Sequence, residues 1–167
     1  MAEKFKIVIM TLVMVTMYYV VTLALRPCII VENDANILYC FKLNADEEIA
    51  LQYVHSVEKT VVIEKIGLVN NELCIKEMLY QSFGAGLPFL VQQGQFRIEN
   101  DWFIINDINE KITAISLRVS KNSKLTINYQ GQAYDLYELI PNNSVVNIKS
   151  ARYYDIFIAD KIYRGIR

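Results

Sequence analysis

The chain contains one histidine, His55. Imidazole is the side chain whose ordinary titration falls near neutral pH, so His55 is the first place to look for acid–base chemistry or ligand contact. It sits in the run LQYVHSVEKTVVIEKIGL, residues 51–68, which alternates as a strand does: Ile49, Leu51, Tyr53, His55 and Val57 share one face. Taken as a hairpin turning at Glu58-Lys59 with a two- or four-residue loop, the run pairs Val57 with Thr60, His55 with Val62, Tyr53 with Glu64 and Leu51 with Ile66. That register gathers Tyr53, His55 and Glu64 on an otherwise apolar face. His55 and Glu64 are then diagonal neighbours, roughly 7–8 Å apart at their Cα atoms. A carboxylate and an imidazole in such a setting need each other, because an unpartnered buried charge is costly. The functional reading is an acid–base or ligand-contact pair, with Glu64 orienting His55. The plainer alternative is a structural Tyr–Glu–His network that holds register. A three-residue loop would slip the register by one and abolish the cluster. Ser56 makes a poor nucleophile partner, since adjacent strand residues point to opposite faces.

A second stretch, YQSFGAGLP from Tyr80 to Pro88, follows closely. Its paired glycines permit positive φ and close backbone approach, and such a loop can offer N–H groups to an anion. It is no dinucleotide fingerprint, having proline where the helix should begin, and no P-loop, having no Gly-Lys-Ser/Thr. Tyr80, Ser82, Phe83, Gly84 and Gly86 are its candidate ligand-binding residues, alongside Tyr53, His55 and Glu64. A tight corner between strands would also account for the glycines. No catalytic residue, metal site or cofactor is indicated, and one histidine excludes a His-rich zinc site.

The elements that must position these residues are short β-rich runs separated by turn residues. Cys28–Val31, Ile37–Leu43, Glu48–Val57, Thr60–Leu68 and Leu73–Gln81 read as strands. Gln95–Ile98, Trp102–Ile105, Ile112–Val119, Lys124–Tyr129, Gln132–Leu136 and Ser144–Lys149 continue the style. Turns between them include Asn33-Asp34, Asn70-Asn71, Asn100-Asp101 and Gln130-Gly131. Eleven tyrosines against six glycines and three prolines favour strands and argue against disorder. The fold class is all-β, an antiparallel β-sandwich or barrel preceded by one N-terminal transmembrane helix. Ala151–Arg167 reads as a short helix, a last strand or a basic tail.

Ile7–Leu25 is nineteen residues without a charge, roughly 28 Å as a helix and close to the thickness of a bilayer core. Three readings are carried: an uncleaved signal-anchor, which is preferred, a cleaved signal peptide ending near Thr22-Leu23-Ala24, and a weak lipoprotein signal at Cys28. All three place the remainder of the chain outside the cytoplasmic membrane, and Lys4 and Lys6 favour an internal N-terminus. The organisation is therefore a membrane segment over 1–26 and an extracytoplasmic β domain over 27–167. Lys plus Arg is 17 against 18 Asp plus Glu, so there is no basic field for nucleic acid. Cys28, Cys40 and Cys74 have no metal-finger spacing and could be three thiols, or one disulfide with one thiol.

YVHSVEKT (53–60), Glu64, YQSFGAGLP (80–88) and Trp102-Phe103-Ile104 together resemble a bacterial family of small uncharacterised proteins, catalogued as a domain of unknown function. The entry Arg26-Pro27-Cys28 after a membrane segment is similar too, and the match runs from about Cys28 to Ile105. The family commonly reads H-S-V-x-x-T-P-V, and Val61 stands here where that proline would be. Members are often encoded beside TRAP transporters of the TAXI class, which use an extracytoplasmic solute-binding protein. The resemblance thus implies a location and an association with solute uptake, with transporter subunits or the solute-binding protein as partners. Three functions are expected on these grounds: an extracytoplasmic binding or accessory module, a small hydrolase-like enzyme using His55 and Glu64, and a structural envelope protein without ligand.

Overall fold

The computed structural model describes residues 2–34, 36–44, 46–82 and 94–156. The chain divides into two units, one of Met1–Pro27 with Ala151–Arg167 and the other Cys28–Ser150. In the first unit, helix α1 spans Ala2–Ala24, and its stretch Glu3–Ala24 has a mean hydropathy of 2.2 with none of its apolar window buried. It is long and apolar enough to cross a membrane. Thr11, Thr16 and Thr22 lie within it, and each turns its hydroxyl back onto a carbonyl of the preceding turn. Those bonds let a threonine sit among apolar neighbours at little cost. Beyond the helix, the Tyr153 amide donates to the Arg26 carbonyl at 3.0 Å, and residues 153–156 are helical.

The second unit is a sandwich of two sheets. Strands in chain order are β1 Pro27–Asn33, β2 Asn36–Lys42, β3 Glu48–Val54, β4 Val61–Val69, β5 Glu72–Tyr80, β6 Gln95–Glu99, β7 Trp102–Asn106 and β8 Glu110–Ile112. They continue as β9 Ala114–Arg118, β10 Thr126–Tyr129, β11 Gln132–Asp135 and β12 Val145–Arg152, with the single-turn helix α2 at Leu136–Leu139. The smaller sheet runs β2-β1-β12-β9. The larger runs β11-β10-β3-β4-β5-β7-β6, with β8 paired to β5. Ile29, Val31 and Phe41 from the smaller sheet and Ile49, Leu51, Ile66 and Ile127 from the larger fill one buried core. Both sheets present alternate residues to it, which is why the sequence alternates. A smaller cluster of Val62, Tyr80 and Ile105 continues along the larger sheet.

Three of the asparagine- and glycine-marked turns form as tight hairpins where the sequence places them. Asn70 and Asn71 have φ of 54° and 65°, Asn100 and Asp101 of 49° and 64°, and Gln130 and Gly131 of 48° and 79°. Two consecutive positive-φ residues match the twist of a tight hairpin. The run expected as one strand over Ile112–Val119 instead divides: β8 joins the larger sheet and β9 the smaller, so the chain crosses between sheets around Thr113.

Candidate functional site

The 51–68 hairpin forms, but in a different register from the expected one. Val54 pairs with Val61, Tyr53 with Val62, Leu51 with Glu64 and Ile49 with Ile66. The loop is therefore six residues, 55–60, and the ladder has slipped by two relative to the tighter turn. A slip of two preserves the face of every side chain. Tyr53 and Glu64 consequently remain neighbours, now on the diagonal, and the Tyr53 hydroxyl donates to Glu64 Oε1 at 2.8 Å. Burial pushes the Glu64 carboxyl above the ordinary carboxylate range, while the Tyr53 hydrogen bond pulls it partly back. Burial, and then the neighbouring carboxylate, push the Tyr53 phenol well above its own usual range. Glu64 stands between Leu51 on β3 and Met78 on β5, at the seam of the two apolar clusters.

The expectation that His55 faces Val62 on a strand is corrected by this register. β3 ends at Val54, and His55 opens the loop instead. Its amide donates to the Thr60 carbonyl at 2.8 Å, and its carbonyl accepts from the Lys59 amide at 3.0 Å. The imidazole Nδ1 accepts the Glu58 amide at 3.2 Å, so the ring caps the turn from inside. With Nδ1 accepting, the neutral ring carries its proton on Nε2. Glu-Lys is a poor tight-turn pair, and the longer loop places Lys59 alone at a positive φ of 58°.

Ser82 joins the two stretches. Its hydroxyl lies 3.1 Å from Thr60 Oγ1 and donates to Glu58 Oε2 at 3.3 Å. Tyr80 is fully buried beside Val62, its ring 5.4 Å from that of Phe103, and burial raises its phenol pKa. Phe83, Gly84 and Gly86 lie outside the described residues. Of the candidates, then, Tyr53 pairs with Glu64 inside the larger sheet, while His55 and Ser82 meet Glu58 at the hairpin end.

One part of this end was missed in the sequence. The loop Ser120–Lys124 packs beside the hairpin: the Val54 amide donates to the Ser123 carbonyl at 2.7 Å. Between the two loops lies a cleft of about 560 Å³ lined by Val54, His55, Ser56, Lys59 and residues 120–124. The available signal is the string SKNSK, whose serines three apart trade hydroxyl-to-amide bonds at 3.0 and 3.1 Å. Taken alone, that string is an ordinary polar break between strands. The cleft's polar groups are ammonium, hydroxyl, amide and imidazole, a set that suits anion binding better than nucleophilic catalysis. Among the described residues, no group of three or more His, Cys, Asp or Glu side chains could hold a metal ion.

Fold and site define a class: an antiparallel β domain following an apolar helix, with a polar cluster at one hairpin end. Residues 49–136, just over half of the chain, match the model of a domain of unknown function, DUF1850, and the chain belongs to that family. The matched span takes in the 51–68 hairpin, Ser82 and the 120–124 loop. No match to the chain was found among curated proteins or among solved structures.

Proposed function

We propose that the protein is a membrane-anchored binding or accessory module on the extracytoplasmic side, serving a TRAP-type solute-uptake system. Its working surface is the hairpin end that carries residues 55–60 and Ser82. The observation that carries this reading is the contact of Ser82 with Thr60 and Glu58, because it unites the two most distinctive stretches of the sequence at one place. Strand cores are replaceable apolar surface, whereas polar residues grouped on loops above a rigid sheet are where recognition is usually built. Helix α1 supports the anchoring, and the lysines ahead of its apolar run support the orientation. The transporter association comes from the family resemblance of the same motifs.

Binding is better supported than hydrolysis. A hydrolytic His55–Glu64 pair needs the carboxylate to orient the ring, yet Glu64 Oε1 is engaged by Tyr53 and His55 Nδ1 by the Glu58 amide. The test is capture of the full-length protein from detergent-solubilised membranes, with bound proteins identified by mass spectrometry. Transport subunits or the solute-binding protein should be retrieved by the native chain and lost from Thr60→Ala/Ser82→Ala. Repeated failure to retrieve them refutes the accessory role.

A further inference from the structure

We infer that the cleft between the 55–60 and 120–124 loops binds a small organic polyanion, a compound bearing two or more carboxylate or phosphate groups. The inference deepens the reading of this end as a binding surface and rests on it. Lys59, Lys121 and Lys124 line the cleft together with His55, and among the described residues no carboxylate lines it. The chain as a whole carries a net charge of −1, so three lysines at one cleft are a local concentration and not a reflection of a basic protein. Three other lysines of the domain stand in ion pairs, Lys65 with Glu77, Lys111 with Glu72 and Lys149 with Glu32. Among the described residues, no ion pair involves Lys59, Lys121 or Lys124. Like charges held close are unfavourable unless an anion bridges them, and several ammonium groups around one cavity are what a polyanion requires.

The cleft is also preformed. Val54 and Ser123 join its two walls through the backbone, and the Ser120–Ser123 bonds fix the loop. The Lys121 amide is held by Asn142 Oδ1 at 3.1 Å, and Lys59 Nζ bonds the Ser56 carbonyl at 2.5 Å. Little backbone ordering remains to oppose binding. A volume of about 560 Å³ is in the range of small-molecule sites and exceeds what one inorganic ion fills.

The test is titration calorimetry on the full-length protein in detergent, with citrate as the carboxylate probe and pyrophosphate as the phosphate probe, each balanced against chloride at constant ionic strength. Saturable one-site binding of either probe is expected, and which one binds distinguishes the two sources. Lys121→Gln and Lys124→Gln should each weaken it about tenfold, the loss of one charge-assisted hydrogen bond. Lys111→Gln, paired elsewhere, should leave it unchanged, and thermal melting should show all three variants folded. The inference is overturned if neither probe gives saturable heat beyond chloride, or if Lys111→Gln weakens binding as much as the cleft variants. Capture of transport subunits without anion binding overturns this inference alone. Anion binding without capture upholds it and removes the transporter assignment.

Discussion

Tyr53→Phe is the perturbation whose consequence the geometry specifies most fully. The phenol donates to a carboxyl group that burial disfavours as an ion, and its loss leaves Glu64 without that donor. A hydrogen bond to a charged group is worth about 1.5–3 kcal/mol, so the variant should lose about 2 kcal/mol at pH 7. In a chain of this size that lowers the melting temperature by about 4–8 °C. Replacing both partners, Tyr53→Phe with Glu64→Met, removes the polar group along with its donor and should restore most of the loss. The pH dependence is set by the direction of the shift. Because the folded-state pKa of Glu64 lies above its unfolded value, the native state binds that proton more tightly. Its contribution is therefore fully present at low pH and falls as pH rises from the ordinary carboxylate range through the folded pKa. Glu64→Gln lacks this limb, and Tyr53→Phe extends it to higher pH, since the lost bond favoured the carboxylate. Chemical denaturation of the full-length protein, followed by fluorescence of the single tryptophan, Trp102, measures all four chains. A Tyr53→Phe variant within about 0.5 kcal/mol of the parent, with an unchanged pH profile, refutes the reasoning.

Other positions give sharper single answers. Gly94 has φ of 95°, and a Cβ there would stand 2.4 Å from the Asn106 carbonyl oxygen. Gly94→Ala should thus cost about 2 kcal/mol or more in the same denaturation assay. Gly131→Ala meets nothing within 4 Å and should cost only the positive-φ strain, about 1 kcal/mol. Cys40 is half-buried, and a hydrogen bond with Cys28 holds its thiol below the usual range, whereas Cys28 and Cys74 are buried. Pulse alkylation of the folded protein read by mass spectrometry should therefore label Cys40 first; equal labelling of all three contradicts the packing. Deleting Ala2–Ala24 should release the chain from carbonate-washed membranes, as judged by its partition between pellet and supernatant.

Much of the fold was legible because its determinants are local. Alternation marked the strands, and residue types able to adopt positive φ marked the tight turns at 70–71, 100–101 and 130–131. The hairpin face was legible too: Tyr53, Glu64, Val62 and Ile66 share it as expected, because parity survives a slip of two. The loop length was not legible, since Glu-Lys carries no strong turn preference and the closing contacts are made by His55 itself. That moved His55 from the strand face to the turn and separated its role from that of Glu64. The division at Thr113 was hidden for a related reason. Ile112 and Ile115 read as one apolar run, and only tertiary pairing assigns them to different sheets. The cleft depends on Val54 meeting Ser123, a contact between residues far apart in the chain, which no local pattern encodes.

The central claim, that the hairpin end is the working surface of a membrane-anchored uptake accessory, is tested most directly by photo-cross-linking in cells. Val57 sits at the tip of the 55–60 loop and is 65% exposed, while Leu139 on α2 is 52% exposed and serves as the comparison. A photoreactive residue at position 57 should give a discrete adduct that mass spectrometry identifies as a transport subunit or solute-binding protein, and the same residue at 139 should not. No adduct from position 57, or the same adducts from both positions, contradicts the claim.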